Sequence, residues 1–154
     1  MATDSAFDPP AVVPEMDVSD LERSLHVYVT VLGFRCHVRR PEEKFAYLIR
    51  ESAHLMLEEA GGPGRSFSTA ALEHPFGRGI NLQIQVSNVD ALYAAVRASA
   101  LVVVIPLEER WYRHDDIERG NRQFVVADPD GYLLRFFSSL GTRPLGRAPN
   151  EAKS

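Results

Sequence analysis

An arginine stands inside the otherwise apolar segment "GYLLRFF", which covers residues 131–137. A charged side chain is rarely buried in a strand unless another group pairs with it. Arg135 should therefore contact a carboxylate, a polar ligand group, or both. A guanidinium can grip an anionic or carbonyl group through two parallel hydrogen bonds. Arg135 is accordingly the first candidate for a binding residue.

The histidines and the single cysteine are not spaced as metal ligands. No two histidines lie four residues apart and no H-x-H sequence occurs, so neither common two-histidine metal motif is present. Cys36 alone cannot form an internal disulfide or a cysteine-based zinc site. The five histidines are His26, His37, His54, His74 and His114. We predict no metal and no other cofactor.

Period-two alternation indicates which side chains share a strand face with Arg135. In "NLQIQV" the amides alternate with aliphatic side chains, so the amides should face a pocket and the aliphatic side chains a helix. The candidate lining residues from four strands are Glu15, Met56, Glu58, Asn81, Gln83 and Arg135. The preferred interpretation pairs Arg135 internally with Glu58 or Glu15, or with a carboxylate of a partner subunit. The alternative is a direct contact between Arg135 and a ligand.

Aromatic and cationic side chains in the second half complete the candidate site. Trp111 and Tyr112 follow the kink expected at Pro106, and their flat rings could stack on a heteroaromatic ligand. Packing in a core or at a dimer interface would explain both residues equally well. Phe124 is expected to point into the pocket, with Arg122 on the same side of its strand.

The elements that must position these residues occur twice along the chain. "VSDLERSL" begins at Val18 and "VSNVDALY" at Val86, 68 positions later, and each marks the junction of a strand with an amphipathic helix. Three strand-like segments follow in each half, which predicts an α+β fold of two tandem βαβββ modules. The predicted parts are a disordered tail (1–11), the first module (12–60), a linker (61–78), the second module (79–139) and a disordered C-terminal tail (140–154).

The composition is that of a globular protein with a small-molecule partner. With 154 residues, 45% of them hydrophobic, the chain can bury one substantial core. The net charge of −4 argues against binding to nucleic acid and agrees with a neutral or cationic ligand. The longest apolar run is too short to span a bilayer, and the first ten residues lack a signal-peptide core. We therefore expect a cytoplasmic protein without membrane or nucleic-acid partners.

The paired modules resemble the vicinal-oxygen-chelate superfamily, which includes glyoxalase I, extradiol dioxygenases, fosfomycin-resistance enzymes and bleomycin-resistance proteins. The resemblance rests on the opening "VSDLERSLHVYVTVLGF" and the closing "DPDGYLLRF" and extends over residues 12–139. It implies two half-open sheets that form a cup, usually completed in a homodimer. It also implies four inward strand positions that bind a divalent metal in the enzymes.

Those four positions fall here on Val13, Met56, Asn81 and Arg135. Val13 has no donor atom, and the thioether of Met56 suits soft copper(I) ions only. The amide of Asn81 is a weak ligand, and the fixed charge of Arg135 would repel a cation. The resemblance is therefore to the metal-free branch typified by the bleomycin-resistance proteins.

This resemblance implies a metal-independent protein that sequesters an aromatic or glycopeptide-like antibiotic or metabolite in a homodimer cleft. The alternative is a metal-dependent lyase, isomerase or dioxygenase with a rearranged ligand set. The candidate ligands for that alternative are His54, His74 or His114 with Glu58 or Glu109. A cofactor-free enzyme that uses Glu15 or Glu58 as a general base is a third possibility.

Overall fold

The computed structural model describes residues 7–146, which form two four-stranded mixed sheets. The strands are β1 (Glu15–Val18), β2 (Arg35–Arg40), β3 (Phe45–Arg50), β4 (Ala53–Glu59), β5 (Asn81–Gln85), β6 (Val102–His114), β7 (Ile117–Ala127) and β8 (Leu133–Pro144), and the α-helices are α1 (Leu21–His26) and α2 (Val89–Arg97). The strand orders are β1-β4-β3-β2 and β5-β8-β7-β6. In each sheet the first strand pairs in parallel with the last strand of its module, and the other pairs are antiparallel. The predicted α+β fold of two βαβββ modules is confirmed.

Equivalent residues begin the two helices. Asp20 and Asn88 each accept a hydrogen bond at 3.0 Å from the backbone N–H three residues further on, which satisfies one free donor at the helix start. α1 continues as a π-helical turn, Val27–Val31, and the chain then turns at Gly33, whose φ of +74° favours glycine. None of the helices in residues 7–146 is long and apolar enough to cross a membrane.

One hydrophobic core is shared by the two modules. It includes Tyr28 and Leu57 from the first module and Phe124 and Phe136 from the second, all fully buried. The core covers the side of each sheet that faces the helices. The other side of each sheet, here called its concave face, carries polar and aromatic side chains, some of them buried and others exposed.

Two carboxylates from hairpin turns join the modules to each other. Asp130, in the turn between β7 and β8, accepts hydrogen bonds from the backbone N–H (3.0 Å) and hydroxyl (2.5 Å) of Ser19, just before α1. Glu51, in the turn between β3 and β4, accepts a bond of 3.0 Å from the backbone N–H of Ser87, just before α2. Because the two serines occupy matching positions of the repeat, each module binds the other through the same kind of hydrogen bond.

A buried hydrogen bond strengthens this contact between modules. The hydroxyl of Tyr28 donates to Asp128 Oδ2 at 2.8 Å. Burial raises the pKa of Tyr28 well above its ordinary value, and the neighbouring charge of Asp128 adds to the effect. Burial also raises the pKa of Asp128. The modules are therefore fixed relative to one another, and so are their concave faces.

The second module is longer than predicted. β8 runs to Pro144, past the boundary expected at 139, and β6 continues to His114. The segment "RHDDIERG" therefore supplies the ends of two paired strands around a tight turn. Most of both predicted tails lies outside the described residues, and residues 7–14 contain no helix or strand.

Candidate functional site

The concave face of the first sheet contains a cavity of about 360 Å³, which we call the acidic cavity. Strand pairing brings its floor together, because Met56 lies between Glu15 on β1 and Tyr47 on β3. Glu58 lies two residues further along β4, opposite Phe45. The lining includes the aromatic residues Phe45, Tyr47 and Phe67, the carboxyl groups of Glu15, Glu43 and Glu58, and Met56. It also includes Arg40, which is ion-paired with Glu43, and Arg65. Three of the candidate residues are therefore adjacent, and Phe67 from the linker lies beside them.

Glu58 is the most perturbed carboxyl group of this cavity. Its side chain is only 3% exposed, and burial raises its pKa to about 7. A hydrogen bond with the carboxyl of Glu15 and the negative charge of Glu15 contribute further to the rise in pKa. The linker closes tightly here, since a β-carbon added to Gly64 would lie 1.8 Å from Glu58 Oε1. Glu58 can thus hold a proton near neutral pH.

The concave face of the second sheet contains a cavity of about 430 Å³, which we call the amide cavity. Its lining includes Gln83, Gln85, Tyr112, Asn121, Phe137 and Ser139. Arg135 lies beside it, because β5 and β8 pair Gln83 with Arg135. Arg135 Nη2 donates to Gln83 Oε1 at 2.5 Å, and Nη1 lies 3.5 Å from the hydroxyl of Tyr112.

The predicted ion pair of Arg135 with Glu58 or Glu15 is wrong, whereas a pair with a carboxylate of a partner subunit stays a prediction. Within residues 7–146 no carboxylate forms a salt bridge with its guanidinium, and its buried Nε atom has no hydrogen-bond partner there. Glu15 and Glu58 belong to the other sheet, where their carboxyl groups are hydrogen-bonded to each other. The guanidinium is therefore held by neutral groups only, and its positive charge is left uncompensated.

A hydrogen-bonded chain extends from Arg135 across the second sheet. The amide nitrogen of Gln123 donates to the hydroxyl of Tyr112 at 2.7 Å and to Glu108 Oε1 at 3.3 Å. Gln123 is only 4% exposed, and its carbonyl oxygen has no partner in the described chain. Because Tyr112 accepts from both Gln123 and Arg135, its own proton is available to another acceptor.

A third cavity, of about 260 Å³, lies between β1 and β5 and is lined by Glu15 and Asn81 together with Leu133. Glu15 lines this cavity and the acidic cavity, and Asn81 is two residues from the amide that binds Arg135. The candidate residues on β1, β4, β5 and β8 line or adjoin these three cavities, whose lining residues we call the candidate surface.

Three candidate residues do not belong to this surface. Trp111 lies against Gly120, and the guanidinium of Arg143 sits over its ring at 4.1 Å, outside the amide cavity. Phe124 is fully buried in the shared core, where its ring packs on Phe136.

Arg122 is also on the helix side of its sheet. It donates to Asp90 on α2 at 2.7 Å and lies 3.6 Å from Glu109. The strand alternation on β7 was therefore assigned the wrong way round, and Gln123 is the residue that faces the concave side. The physical reason is that Phe124 has more apolar surface to bury than Gln123.

The four positions implied for a metal do not fit one. Val13 packs among the apolar side chains of the first concave face, and Met56 presents a thioether beside it. Asn81 lines the cavity between β1 and β5 with an amide, which is a weak metal ligand. Arg135 carries a fixed positive charge and donates a hydrogen bond to Gln83. No cluster of three or more histidine, cysteine or acidic side chains within 7–146 is arranged to hold an ion, which leaves the rearranged ligand set without support.

The sequence analysis missed two aromatic residues of the acidic cavity. Phe45 and Tyr47 alternate with alanine and leucine in "KFAYLIR", so their shared face could have been identified. Burial raises the pKa of Tyr47, as expected for a phenol packed in a half-closed cavity.

Comparison with known proteins agrees with this geometry. The family model of the Glyoxalase/Bleomycin resistance protein/Dioxygenase superfamily matches residues 14–136. The chain belongs to this superfamily. The bleomycin resistance proteins of Geobacillus stearothermophilus and Staphylococcus aureus are each 28% identical to it over 137 residues, covering 83% of this chain and 96% of theirs. The recognition made from the sequence motifs is confirmed.

Two solved structures superpose on most of the chain. TioX from Micromonospora sp. ML1 is 25% identical, with a TM-score of 0.67 over 84% of this chain and 98% of its own. A protein of unknown function from Agrobacterium tumefaciens str. C58 is also 25% identical, with a TM-score of 0.61 over 84% of this chain and 93% of its own. The similarity therefore covers both modules.

Proposed function

We propose that this protein binds and sequesters a small molecule without a metal, in a cleft formed by two copies of the chain. The ligand class is an aromatic or glycopeptide-like antibiotic or metabolite. The observation that carries the proposal is the uncompensated guanidinium of Arg135, held by neutral partners on an open concave face. The 28% identity to bleomycin resistance proteins supports the same class of function.

Arg135 would bind an anionic or carbonyl group of the ligand. Its hydrogen bond to Gln83 fixes the orientation of the guanidinium, so little side-chain entropy is lost when a ligand binds. Tyr112 can donate its hydroxyl proton to the same ligand group. The hydrogen bond from Arg135 to Gln83 stands where a bond to Glu58 or Glu15 was expected from the sequence.

The acidic cavity would bind a cationic group beside an aromatic ring. The carboxyl pair of Glu15 and Glu58 can neutralise a ligand amine, while Phe45 and Tyr47 supply apolar aromatic surface next to it. Ligand binding there would displace the proton that Glu58 holds near neutral pH.

The cleft would form between two copies because a single concave face covers only one side of a ligand. Gln83, Asn81 and Glu15 remain exposed on the surface of the single chain. Pairing the first face of one copy with the second face of another would enclose a ligand between the acidic and the amide cavities. A ligand between the faces would then contact the carboxyl pair of one copy and Arg135 of the other.

The test measures binding of metal-free bleomycin by titration calorimetry, alongside a thermal-shift panel of aromatic antibiotics. We expect Arg135→Leu to weaken binding roughly tenfold or more, because a charge-assisted hydrogen bond is lost. The melting temperature of the free variant should move by less than about 3 °C, since no ion pair is broken. Arg122→Leu is the matched control, because it removes an arginine from the other face and should leave affinity unchanged.

Two results would overturn the proposal. One is the absence of any thermal shift or binding across the whole panel. The other is zinc, nickel, iron or manganese retained stoichiometrically by the purified protein after dialysis.

A further inference from the structure

An aromatic ring of the chain itself already occupies part of the first concave face. The ring of Phe7 stacks on His37 with centroids 4.4 Å apart and planes inclined by 28°. Tyr47 meets the same ring edge-on at 5.3 Å, and His54 lies 5.9 Å away. Three rings from three neighbouring strands therefore surround one phenyl group.

The three surrounding rings are held in place without Phe7. The hydroxyl of Tyr47 and Nδ1 of His54 are hydrogen-bonded at 2.9 Å. Arg35 Nη1 lies 3.2 Å from His37 Nδ1, and because a guanidinium only donates, this nitrogen must accept. This contact holds the ring of His37 in its orientation. A preformed set of rings of this kind suits stacking with a flat ligand.

Phe7, in contrast, is weakly attached. It is 42% exposed, and it lies in the segment 7–14, which has no helix or strand. Through residue 13 no backbone hydrogen bond joins this segment to the rest of the described chain. The ring contacts are thus its main attachment, and another ring could replace it.

The surrounding rings adjoin the acidic cavity. Tyr47 both contacts Phe7 and lines that cavity beside Glu58. His54 and Glu58 lie on the same face of β4, with Met56 between them. A ligand whose cationic group reaches the carboxyl pair would therefore bring a neighbouring ring to the place that Phe7 occupies.

We propose that His37, Tyr47 and His54 form a subsite for one planar aromatic ring, and that Phe7 fills it in the free protein as an internal competitor. The subsite rests on the proposed binding function and specifies the ligand further, as a molecule with a flat ring next to a cationic group. The N-terminal segment must leave the subsite before that ring binds.

The first experiment observes the free protein. The imidazole NMR signals of His37 and His54 should shift in Phe7→Ala, because the ring current of the phenyl group is lost. Phe7→Tyr keeps a ring and should leave these signals nearly in place. Unchanged signals in Phe7→Ala would overturn the proposal without reference to any ligand.

The second experiment titrates indole, an uncharged aromatic probe, into the same proteins. We expect Phe7→Ala to bind indole roughly three- to tenfold more tightly than the wild type, and Phe7→Tyr to match the wild type. Adding His37→Ala to Phe7→Ala should abolish this gain. Equal affinity in Phe7→Ala and the wild type, or no indole binding by either, would refute the competition.

Measuring the binding of metal-free bleomycin distinguishes a failure of this inference from a failure of the proposed function. If indole responds as expected but metal-free bleomycin does not bind, the subsite is supported and the sequestration of bleomycin-type ligands fails. If bleomycin affinity depends on Arg135 but is the same in Phe7→Ala and the wild type, the binding function is supported and the competition by Phe7 fails.

Discussion

Replacing Glu58 by glutamine should make the protein more stable at alkaline pH. The pKa of Glu58 is 4.5 in its ordinary state and about 7 in the folded protein. Because a tenfold change in an equilibrium constant corresponds to about 1.4 kcal/mol, this difference amounts to about 3 kcal/mol as an upper limit. The folded protein binds the proton more tightly than the unfolded chain does. The stabilisation is therefore complete below pH 4.5 and is lost as the pH rises through about 7.

Glutamine resembles the protonated carboxyl in shape and carries no charge at any of these pH values. The difference in unfolding free energy between Glu58→Gln and the wild type should thus be near zero at pH 4.5 and reach about 1 to 3 kcal/mol in favour of the variant at pH 8.5. Urea unfolding followed by circular dichroism at several pH values measures it. Taking the difference removes the contribution of titrating groups that do not interact with Glu58.

Glu59→Gln is the matched control, because this neighbouring residue faces the opposite side of the strand. Glu59 accepts hydrogen bonds from Lys44 Nζ at 2.5 Å and from the backbone N–H of Leu21 at 3.1 Å. The bond from Lys44 lowers the pKa of Glu59, so its stabilisation is present above pH 4.5 and lost as the pH falls through the lower folded pKa. Glu59→Gln should lose about 1 kcal/mol at pH 8.5. A Glu58→Gln protein that is less stable than the wild type at pH 8.5, or whose advantage is independent of pH, would refute the reasoning.

Two further substitutions test the contact between modules and the closure of the acidic cavity. Tyr28→Phe removes the hydroxyl that donates to Asp128 at 2.8 Å, and urea unfolding should show a loss of about 1 to 3 kcal/mol; no loss would mean that the pair does not hold the modules together. Gly64→Ala would place a β-carbon 1.8 Å from Glu58 Oε1 and 2.7 Å from a backbone oxygen, so the linker must move away; trypsin should then cut after Arg65 severalfold faster, and an unchanged rate would contradict the close packing.

The fold could be predicted because its signals are local and occur twice. Capping side chains at Asp20 and Asn88 and the stop at Gly33 determine where the helices begin and end. In "NLQIQV" polar and apolar residues differ at every step, so the alternation assigns each side chain to one face. The structure places the amides of this strand on the concave face, as predicted.

The site could be predicted only in part, because polar and apolar residues do not alternate regularly in the remaining strands. Phe124, Val125 and Val126 are consecutive apolar residues, so a period of two cannot tell which of them face the core. The register of β6 also shifts twice near Pro106. Counting every second residue along β6 therefore does not tell which face of the sheet Trp111 lies on.

The partner of Arg135 was missed for a different reason. Alternation predicts that Arg135 and Glu58 both lie on a concave face, but the distance between two sheets depends on how the shared core packs. Gln83, by contrast, is the direct neighbour of Arg135 in the paired strands, and cross-strand pairs of this kind are the local contacts of a sheet. A prediction restricted to such pairs would have identified the amide.

The repeat has kept the contacts that hold the modules together while its two concave faces have diverged. Ser19 and Ser87 bind turn carboxylates in the same way, yet the first face carries Glu58 and the second carries Arg135. Side chains on the concave faces contribute little to the shared core, so they can change with small cost in stability. A cleft that combines one face of each kind would offer a carboxyl pair and a guanidinium to the same ligand. We infer that the ligand carries a cationic group and, some distance from it, a carbonyl or anionic group.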